Sequence, residues 1–367
     1  MRRRPVKAAV LHQIGDDKLD LRTDVSTNDP GPGEVRIRIR ATGICHSDLS
    51  AMNGTLPALT PGVIGHEGAG EIVAVGDAVT HLAVGDHVIV TFVPPCGHCP
   101  NCLRGEFHLC GVHTIAAFMN PRFRLGDAPM FGYAGLGTFA EELVVPAEGA
   151  VKVAADVPFE IAALVACGVM TGVGAVLNTA KVEPGSSVVV IGCGGVGISV
   201  IQGARLAGAT RIVAVEPVVG KHDAAKRFGA THAVTPDDLA ALNQELTGSM
   251  GFDYAFDVVG IPATIRSAWD VARRGGQVIV VGAGRADAMV SFSAQELFLH
   301  DKVLRGSFYG SANVRRDYDR LLDFWRAGRL DLDGMISKRL PLDDVNEGLA
   351  ALREGGTDLI RQMIIID

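Results

Sequence analysis

The chain has 367 residues, of which 48% are hydrophobic and 20% charged, a balance that excludes the disordered and fibrous classes. At about 100 to 200 residues per domain, this length calls for two or three domains with full-sized cores. Lys and Arg total 34 against 41 Asp and Glu, and the resulting net charge of −7 argues against a broad nucleic-acid footprint or a polyanionic partner.

The start, Met1-Arg2-Arg3-Arg4 running into Pro5, carries neither the apolar run nor the small-residue cleavage site of a secretory leader. From Glu34 to Ala41 apolar and basic residues alternate, which predicts a strand with one buried face and Arg36, Arg38 and Arg40 on its wet side. Glycines and prolines then recur up to about Pro146, with short runs such as Gly70 to Val75 and Asp86 to Val93 between them, so this part reads as β-rich and turn-rich. The longest uncharged apolar stretch, Ile161 to Leu177, falls short of the roughly 20 residues of a membrane span and contains Gly168, Gly172 and Gly174; it reads as buried core. No membrane association is expected.

After Pro184-Gly185 the pattern changes. Ser187 to Ile191, Arg211 to Val215, Tyr254 to Val259 and Gln277 to Val281 are strand-like runs separated by helix-like segments, the order of a parallel sheet with crossover helices. The tail offers a helix around Leu321, Leu322, Phe324 and Trp325, a second at Val345, Leu349 and Leu352, and a last strand from Gln362 to Ile366.

Gly192-Cys193-Gly194-Gly195-Val196-Gly197 fits G-x-G-x-x-G directly after one of these strands and opening a helix, the context a dinucleotide-binding turn requires. Gly192 serves the tight turn, Gly194 lets backbone approach a pyrophosphate, and Gly197 lets helix and strand pack closely, while free N–H groups at the helix start attract the anion. Glu216 ends the next strand, where a carboxylate accepts hydrogen bonds from ribose hydroxyls and repels a 2′-phosphate, favouring NAD over NADP. Cys193 occupies a variable position and needs no chemical role.

The seven cysteines are an odd count with four clustered, the usage of a metal protein in a reducing compartment, so a cytoplasmic location is expected. Cys96, Cys99, Cys102 and Cys110 supply four thiolates within fifteen residues, enough for a closed, structural zinc shell. An iron-sulfur cluster is the rival, although the bacterial run places its fourth Cys after three residues and follows it with Pro, whereas seven residues intervene here and Gly111 follows. A nucleic-acid zinc module is a further alternative that the acidic balance disfavours. Cys45, Cys167 and the His66 of Gly65-His66-Glu67 have the composition of a catalytic Cys2His zinc site with an open fourth position, but sequence spacing alone does not bring them together.

The motif Gly65-His66-Glu67-x2-Gly70-x5-Gly76-x2-Val79, with the four-Cys lobe, Cys45, Cys167 and the Gly192 fingerprint in the same order, resembles the zinc-dependent medium-chain alcohol dehydrogenases over essentially the whole chain. The resemblance implies an α/β protein. A Rossmann doubly wound parallel sheet (169–308) would be inserted in a GroES-like, β-rich catalytic domain (1–168 and 309–367) with a structural zinc lobe at about 95–112, the active site lying in the cleft between the domains. It implies two zinc ions per chain, NAD, and interconversion of alcohols with aldehydes or ketones by hydride transfer from a zinc-bound alkoxide. By position, Cys45, His66 and Cys167 resemble the catalytic zinc ligands and Glu67 the carboxylate that approaches the metal. Asp48 resembles the partner that fixes His66, and Ser47 the hydroxyl that takes the substrate proton. His46 and Arg361 resemble contacts to the coenzyme pyrophosphate, Thr171 and Val196 contacts to the nicotinamide, and Lys221 one near the adenosine ribose. Val281, ending its strand, is grouped with the cofactor contacts, and Phe92 resembles a wall of the alcohol pocket.

One departure is Ser50, which stands where some members carry a histidine that passes the proton to solvent. The long stretch from Cys110 to Thr138 resembles the longer-loop, class III-like branch and with it a homodimer. Relatives of that branch oxidise a formaldehyde adduct of a small thiol, a second reading for which Arg122 and Arg124 are candidate anchors of the thiol carrier's carboxylates. The non-enzyme alternative is an NAD(H)-binding sensor that kept the fold and lost the chemistry.

Overall fold

A computed structural model describes residues 4–367, and the Met1-Arg2-Arg3 start falls outside the described residues. The chain divides into two compact units, the first comprising the chain up to Cys167, Asn313–Gly328 and Leu332–Asp367, the second Gly168–Ala312 with Arg329–Asp331. The return to the first unit comes at Asn313.

The first unit holds two β systems. Strands Arg4–Leu11, Asp20–Thr27, Phe123–Leu125, Ala128–Gly132 and Gly62–Val63 close into a barrel, and Glu34–Ile44 is central to a seven-stranded sheet. Two neighbours of Glu34–Ile44 matter most for function. Glu67–Val75 runs antiparallel to it with Gly43 opposite Glu67, and the last strand, Arg361–Ile365, runs antiparallel on its other edge with Gln362 opposite Ile44. The end of the chain is thereby returned beside the residues that lead into Cys45. The core is built from the alternating residues of these strands, among them Val10, Ile37, Ile39 and Val63, with Phe139 from a loop, all without solvent exposure.

The central strand extends to Ile44, past the Ala41 at which the alternation ends, and its basic residues are not simply its wet side. Arg36 is buried, with Nη1 2.9 Å from Asp29 Oδ1 and Nε 3.4 Å from Glu142 Oε2, and Arg38 and Arg40 are half-buried. A strand with neighbours on both edges has little free surface, so a cation on it must find carboxylate partners.

The apolar stretch forms a helical run over Phe159–Ala180, long and apolar enough on those counts to cross a membrane, so it is longer than the glycines of the sequence suggested. Its Ile161, Ala162, Ala163 and Leu164 are wholly buried, and the helix Phe159–Leu164 packs on the strands Glu34–Ile44 and Glu67–Val75 as a core element. Beyond Leu164 the run passes through a π-helical turn, Val165–Val169.

The second unit is a six-stranded parallel sheet in the order His232–Val234, Arg211–Val215, Ser187–Ile191, Phe252–Asp257, Ala272–Val280, Val303–Gly306. Val189, Val213, Ala255 and Val278 fill its core with Trp269 from a covering helix. The strand read at Tyr254 to Val259 starts and ends two residues earlier, because Asp257 turns its carboxylate to the N–H groups of Val259 and Gly260 and so closes the strand. Val303–Gly306 is an edge strand with every residue exposed.

Candidate active site

In the first unit the site is assembled at the end of the central strand. Cys45 follows Ile44 and caps the short helix His46–Met52, whose third residue, Asp48, is wholly buried. Asp48 Oδ2 accepts from the Cys45 N–H at 2.9 Å and Oδ1 lies 2.9 Å from His66 Nδ1, so a single carboxylate fixes the start of the helix and the orientation of the imidazole. With Nδ1 engaged, His66 presents Nε2, a buried atom without a hydrogen-bond partner. That is the arrangement by which an outer carboxylate orients a metal-ligating histidine.

Donor atoms of Cys45, His66, Glu67 and Cys167, all four buried, lie within 4.8 Å of one another. Cys167 arrives from the π-helical turn, a geometry often found where a helix carries a functional side chain. Glu67 is fully buried, one carboxylate oxygen paired with the Arg361 guanidinium across the two neighbouring strands and the other, Oε1, without a partner. Arg361 is itself buried, so its place in the structure is on Glu67. Two soft sulfurs, an unbonded imidazole nitrogen and a carboxylate oxygen within 4.8 Å of one another suit a zinc ion.

The chain's own groups at this spot perturb one another strongly. A hydrogen bond from Cys167 holds the Cys45 thiol well below the ordinary thiol range against the opposing effect of burial, with His66 adding to it. Burial works against a charged His66, but the Asp48 carboxylate outweighs it and pushes the imidazole up to about 10. Burial also raises Asp48, with His66 pulling the other way. Ser47 Oγ lies 3.7 Å from Cys45 Sγ and is half-exposed, as is Ser50 one turn along the helix, while His46 is exposed. Two aromatic rings stand edge-on to His66, Phe92 at 5.9 Å and Tyr133 at 5.5 Å between centroids. Sequence reasoning missed Tyr133. It lies in the Gly-rich turn Tyr133–Gly135, where no periodicity marks a buried side chain, and burial with the nearby Asp48, Cys45 and Cys167 charges pushes its phenol far up.

The Sγ atoms of Cys96, Cys99, Cys102 and Cys110 also lie within 4.8 Å of one another. A tetrahedral ion with bonds of about 2.3 Å sets its sulfurs about 3.8 Å apart, so this spacing fits one ion and is too tight to enclose a cluster. Backbone N–H groups of Cys96 and Cys99 point at sulfur, at 3.3 Å from Cys110 and Cys96 respectively. Burial opposes the Cys96 thiolate, but the N–H groups of His98 and Cys99 prevail and bring it down to about 6, while burial raises Cys102 to about 12. None of the seven cysteines, all among the described residues, forms a disulfide.

The second unit carries the fingerprint between Ile191 and the helix Gly195–Ala207. Gly192 has φ +97°, and a Cβ on Gly197 would collide with the Gly192 carbonyl. Gly194 is exposed, a Cβ there would meet nothing within 4 Å, and no side chain caps the helix start, which leaves its N–H groups facing a cradle open to an anion. Glu216 is buried at the end of its strand, Oε2 accepting from Cys193 N at 2.9 Å and Oε1 from Val218 N at 3.2 Å. Thr171 and Val196 lie on neighbouring helices, where Gly172 packs directly on the Val196 carbonyl. Lys221 ends the turn Val219–Lys221, and Val281 N donates to the Asp257 carbonyl at 2.8 Å.

Arg122 does not offer the anchor suggested for a thiol carrier. Its side chain is buried, with Nη1 donating to Glu34 Oε1 at 2.9 Å. Arg124 Nη1 donates to the Asp127 carbonyl at 2.8 Å.

Residues 31–155 match the alcohol dehydrogenase GroES-like domain and residues 195–327 the zinc-binding dehydrogenase family. The chain is 38% identical to the S-(hydroxymethyl)glutathione dehydrogenase of Paracoccus denitrificans, covering 93% of this chain and 95% of the relative. It is also 38% identical to the alcohol dehydrogenase class-3 of Cereibacter sphaeroides, over 93% and 95%. Among solved structures, the benzyl alcohol dehydrogenase of Acinetobacter calcoaceticus superposes with a TM-score of 0.90 at 31% identity, over 99% of this chain and 100% of that one.

Proposed function

The chain belongs to the zinc-dependent medium-chain alcohol dehydrogenases, and on that premise we propose that it interconverts an alcohol with its aldehyde or ketone at Cys45, His66 and Cys167, using NAD. The observation that carries the site is the convergence of those buried donors with an unbonded His66 Nε2. Cys45, His66 and Cys167 would hold a zinc ion that would supply Lewis-acid polarisation of a substrate oxygen, with NAD as the hydride acceptor.

The remaining steps belong to the chain's own side chains. Asp48 keeps His66 in the orientation that presents Nε2, and Cys45 contributes a sulfur already biased to the thiolate. Ser47 Oγ, beside Cys45 and partly open to solvent, takes the substrate hydroxyl proton and hands it outward, as a positioned general base does. Phe92 and Tyr133 keep water from the faces of His66 and wall the substrate. Glu67, anchored by Arg361, stands as the carboxylate able to approach the metal through Oε1. The four-Cys group holds a second, structural zinc. Gly192, Gly194, Gly195, Val196 and Gly197 would receive the pyrophosphate and Glu216 would select the unphosphorylated ribose, with Thr171, Lys221 and Val281 as further coenzyme contacts.

The test is NADH formation at 340 nm over primary, secondary, aromatic and terpenoid alcohols, with zinc content measured in parallel. Turnover in wild type with two zincs per chain, lost in Cys45→Ala together with one zinc, supports the assignment. Equal turnover in the variant defeats it.

The adduct reading is favoured by the name of the Paracoccus relative, and Arg124 is the remaining candidate anchor for its carrier. Formaldehyde with small thiols belongs in the same panel, and loss of adduct turnover alone in Arg124→Ala would select that reading. A homodimer is supported by the exposed edge strand Val303–Gly306 and the exposed Leu297, Phe298, Leu299 and Phe308 beside it in sequence, since an open apolar edge is a template for a second copy. Light scattering should give twice the chain mass, and Phe298→Asp should halve it. The cysteine usage supports a cytoplasmic location.

A further inference from the structure

We infer that Tyr318, a residue of the helix Val314–Arg326 remote in sequence from every ligand, is a positioning residue for the Cys167 thiolate, a statement that rests on the reading of Cys167 as a metal ligand. Cys45 and His66 are both fixed through Asp48, by the Cys45 N–H and by His66 Nδ1. The third ligand is held by other means. Cys167 lies within the π-helical turn Val165–Val169, where the regular i→i−4 ladder is interrupted. The Tyr318 hydroxyl donates to the carbonyl of Ala166, whose peptide unit ends in the Cys167 N–H, at 3.3 Å.

Tyr318 is itself part of the core. Its side chain has no solvent exposure, and Leu321 and Leu322 beside it are buried. At the start of its helix Asp317 Oδ2 accepts from Asn313 N at 2.8 Å. At the end Arg326 Nη2 donates to Asp156 Oδ1 at 2.8 Å, which ties this helix to the segment leading into Phe159–Leu164, the helix that precedes the turn. The phenol therefore acts from a fixed platform on the peptide plane of Ala166 and Cys167, and through it on where Sγ points. Phenylalanine fills the same core volume and removes the hydroxyl that donates to Ala166.

The experiment uses the full chain loaded with cobalt(II), whose thiolate charge-transfer and ligand-field bands report the geometry at sulfur. Cobalt release to a chelator is followed in wild type, Tyr318→Phe and Leu322→Ala, and the release phase missing in Cys45→Ala identifies the site. Loss of one long, buried hydrogen bond predicts about threefold faster release from that site in Tyr318→Phe, a shifted ligand-field band, and an unchanged phase for the four-Cys site. Release within twofold of wild type with an unaltered spectrum overturns the inference. So does equal acceleration in Leu322→Ala, which loosens the same helix without touching the Ala166 carbonyl and so detects an effect of lowered stability alone. A wild-type protein that takes up only one equivalent of cobalt overturns the ligand reading itself, and this inference falls with it.

Discussion

Replacing Asp48 by Asn tests the site at the point where its geometry is most constrained. The carboxylate is wholly buried and accepts at both oxygens, from Cys45 N and from His66 Nδ1, each at 2.9 Å. An amide of the same size has one acceptor, so if its oxygen stays on His66 its NH2 meets the Cys45 N–H, donor against donor. A buried donor left without a partner costs about 1 to 3 kcal/mol. The bond to His66 also loses its charge assistance, and with it about half its strength. Taking about 2 kcal/mol as the lower end of the sum gives about a thirtyfold loss, within the 10- to 100-fold range for removing an outer partner of a metal ligand. The assay is chelator competition for zinc at pH 7 with the four-Cys site as internal reference, read alongside turnover with a good alcohol substrate. Zinc held within threefold of wild type would refute the argument that Asp48 sets the ligand geometry.

Three further outcomes are expected. In Gly197→Ala the new Cβ meets the Gly192 carbonyl, an overpacking of about 1 to 3 kcal/mol that should weaken NADH binding at least fivefold by fluorescence titration while leaving zinc content at two. In Glu216→Ala the carboxylate that repels a 2′-phosphate is gone, so the ratio of kcat/KM for NAD over NADP should fall at least tenfold. Two hydrogen bonds from Arg339, at 2.7 and 2.8 Å, hold Glu160 below its ordinary value. A depressed carboxylate contributes stability above its unfolded pKa and loses it as pH falls, so from about pH 5 to pH 3 the melting temperature should drop less steeply in Glu160→Gln than in wild type.

Much of the second unit is legible from its sequence, and the reason is physical. A strand in a parallel sheet is buried on both faces, so Ser187–Ile191 and Arg211–Val215 are continuous apolar runs that coincide with the observed strands. Where the environment is less uniform the pattern misleads. Tyr254 to Val259 looks like one run, yet Asp257 stops the strand with its own side chain. Arg36 has the periodicity of a solvent-facing residue, and only the strands on both sides of Glu34–Ile44 and the distant Glu142 make it a buried one. Partners 106 residues apart (142 − 36) leave no local trace.

The candidate site divides along the same line. The four cysteines of the lobe lie close in sequence, and short loops suffice to bring their sulfurs within 4.8 Å, so spacing alone identifies them. Cys45, His66 and Cys167 are joined by a strand pairing, Gly43 opposite Glu67, and by a helix laid across both strands. Neither is encoded in the residues beside the ligands, which is why only the resemblance to a family connected them. The supporting residues are hidden more deeply still. Arg361 reaches Glu67 because the last strand pairs with the central one, and Tyr318 reaches Ala166 from a helix more than 150 positions later, their separation being 152. Ligand identity is therefore a property of motif, whereas ligand orientation is a property of topology. Substitutions at Asp48 and Tyr318 should accordingly alter how tightly the metal is held while leaving the number and type of its ligands unchanged.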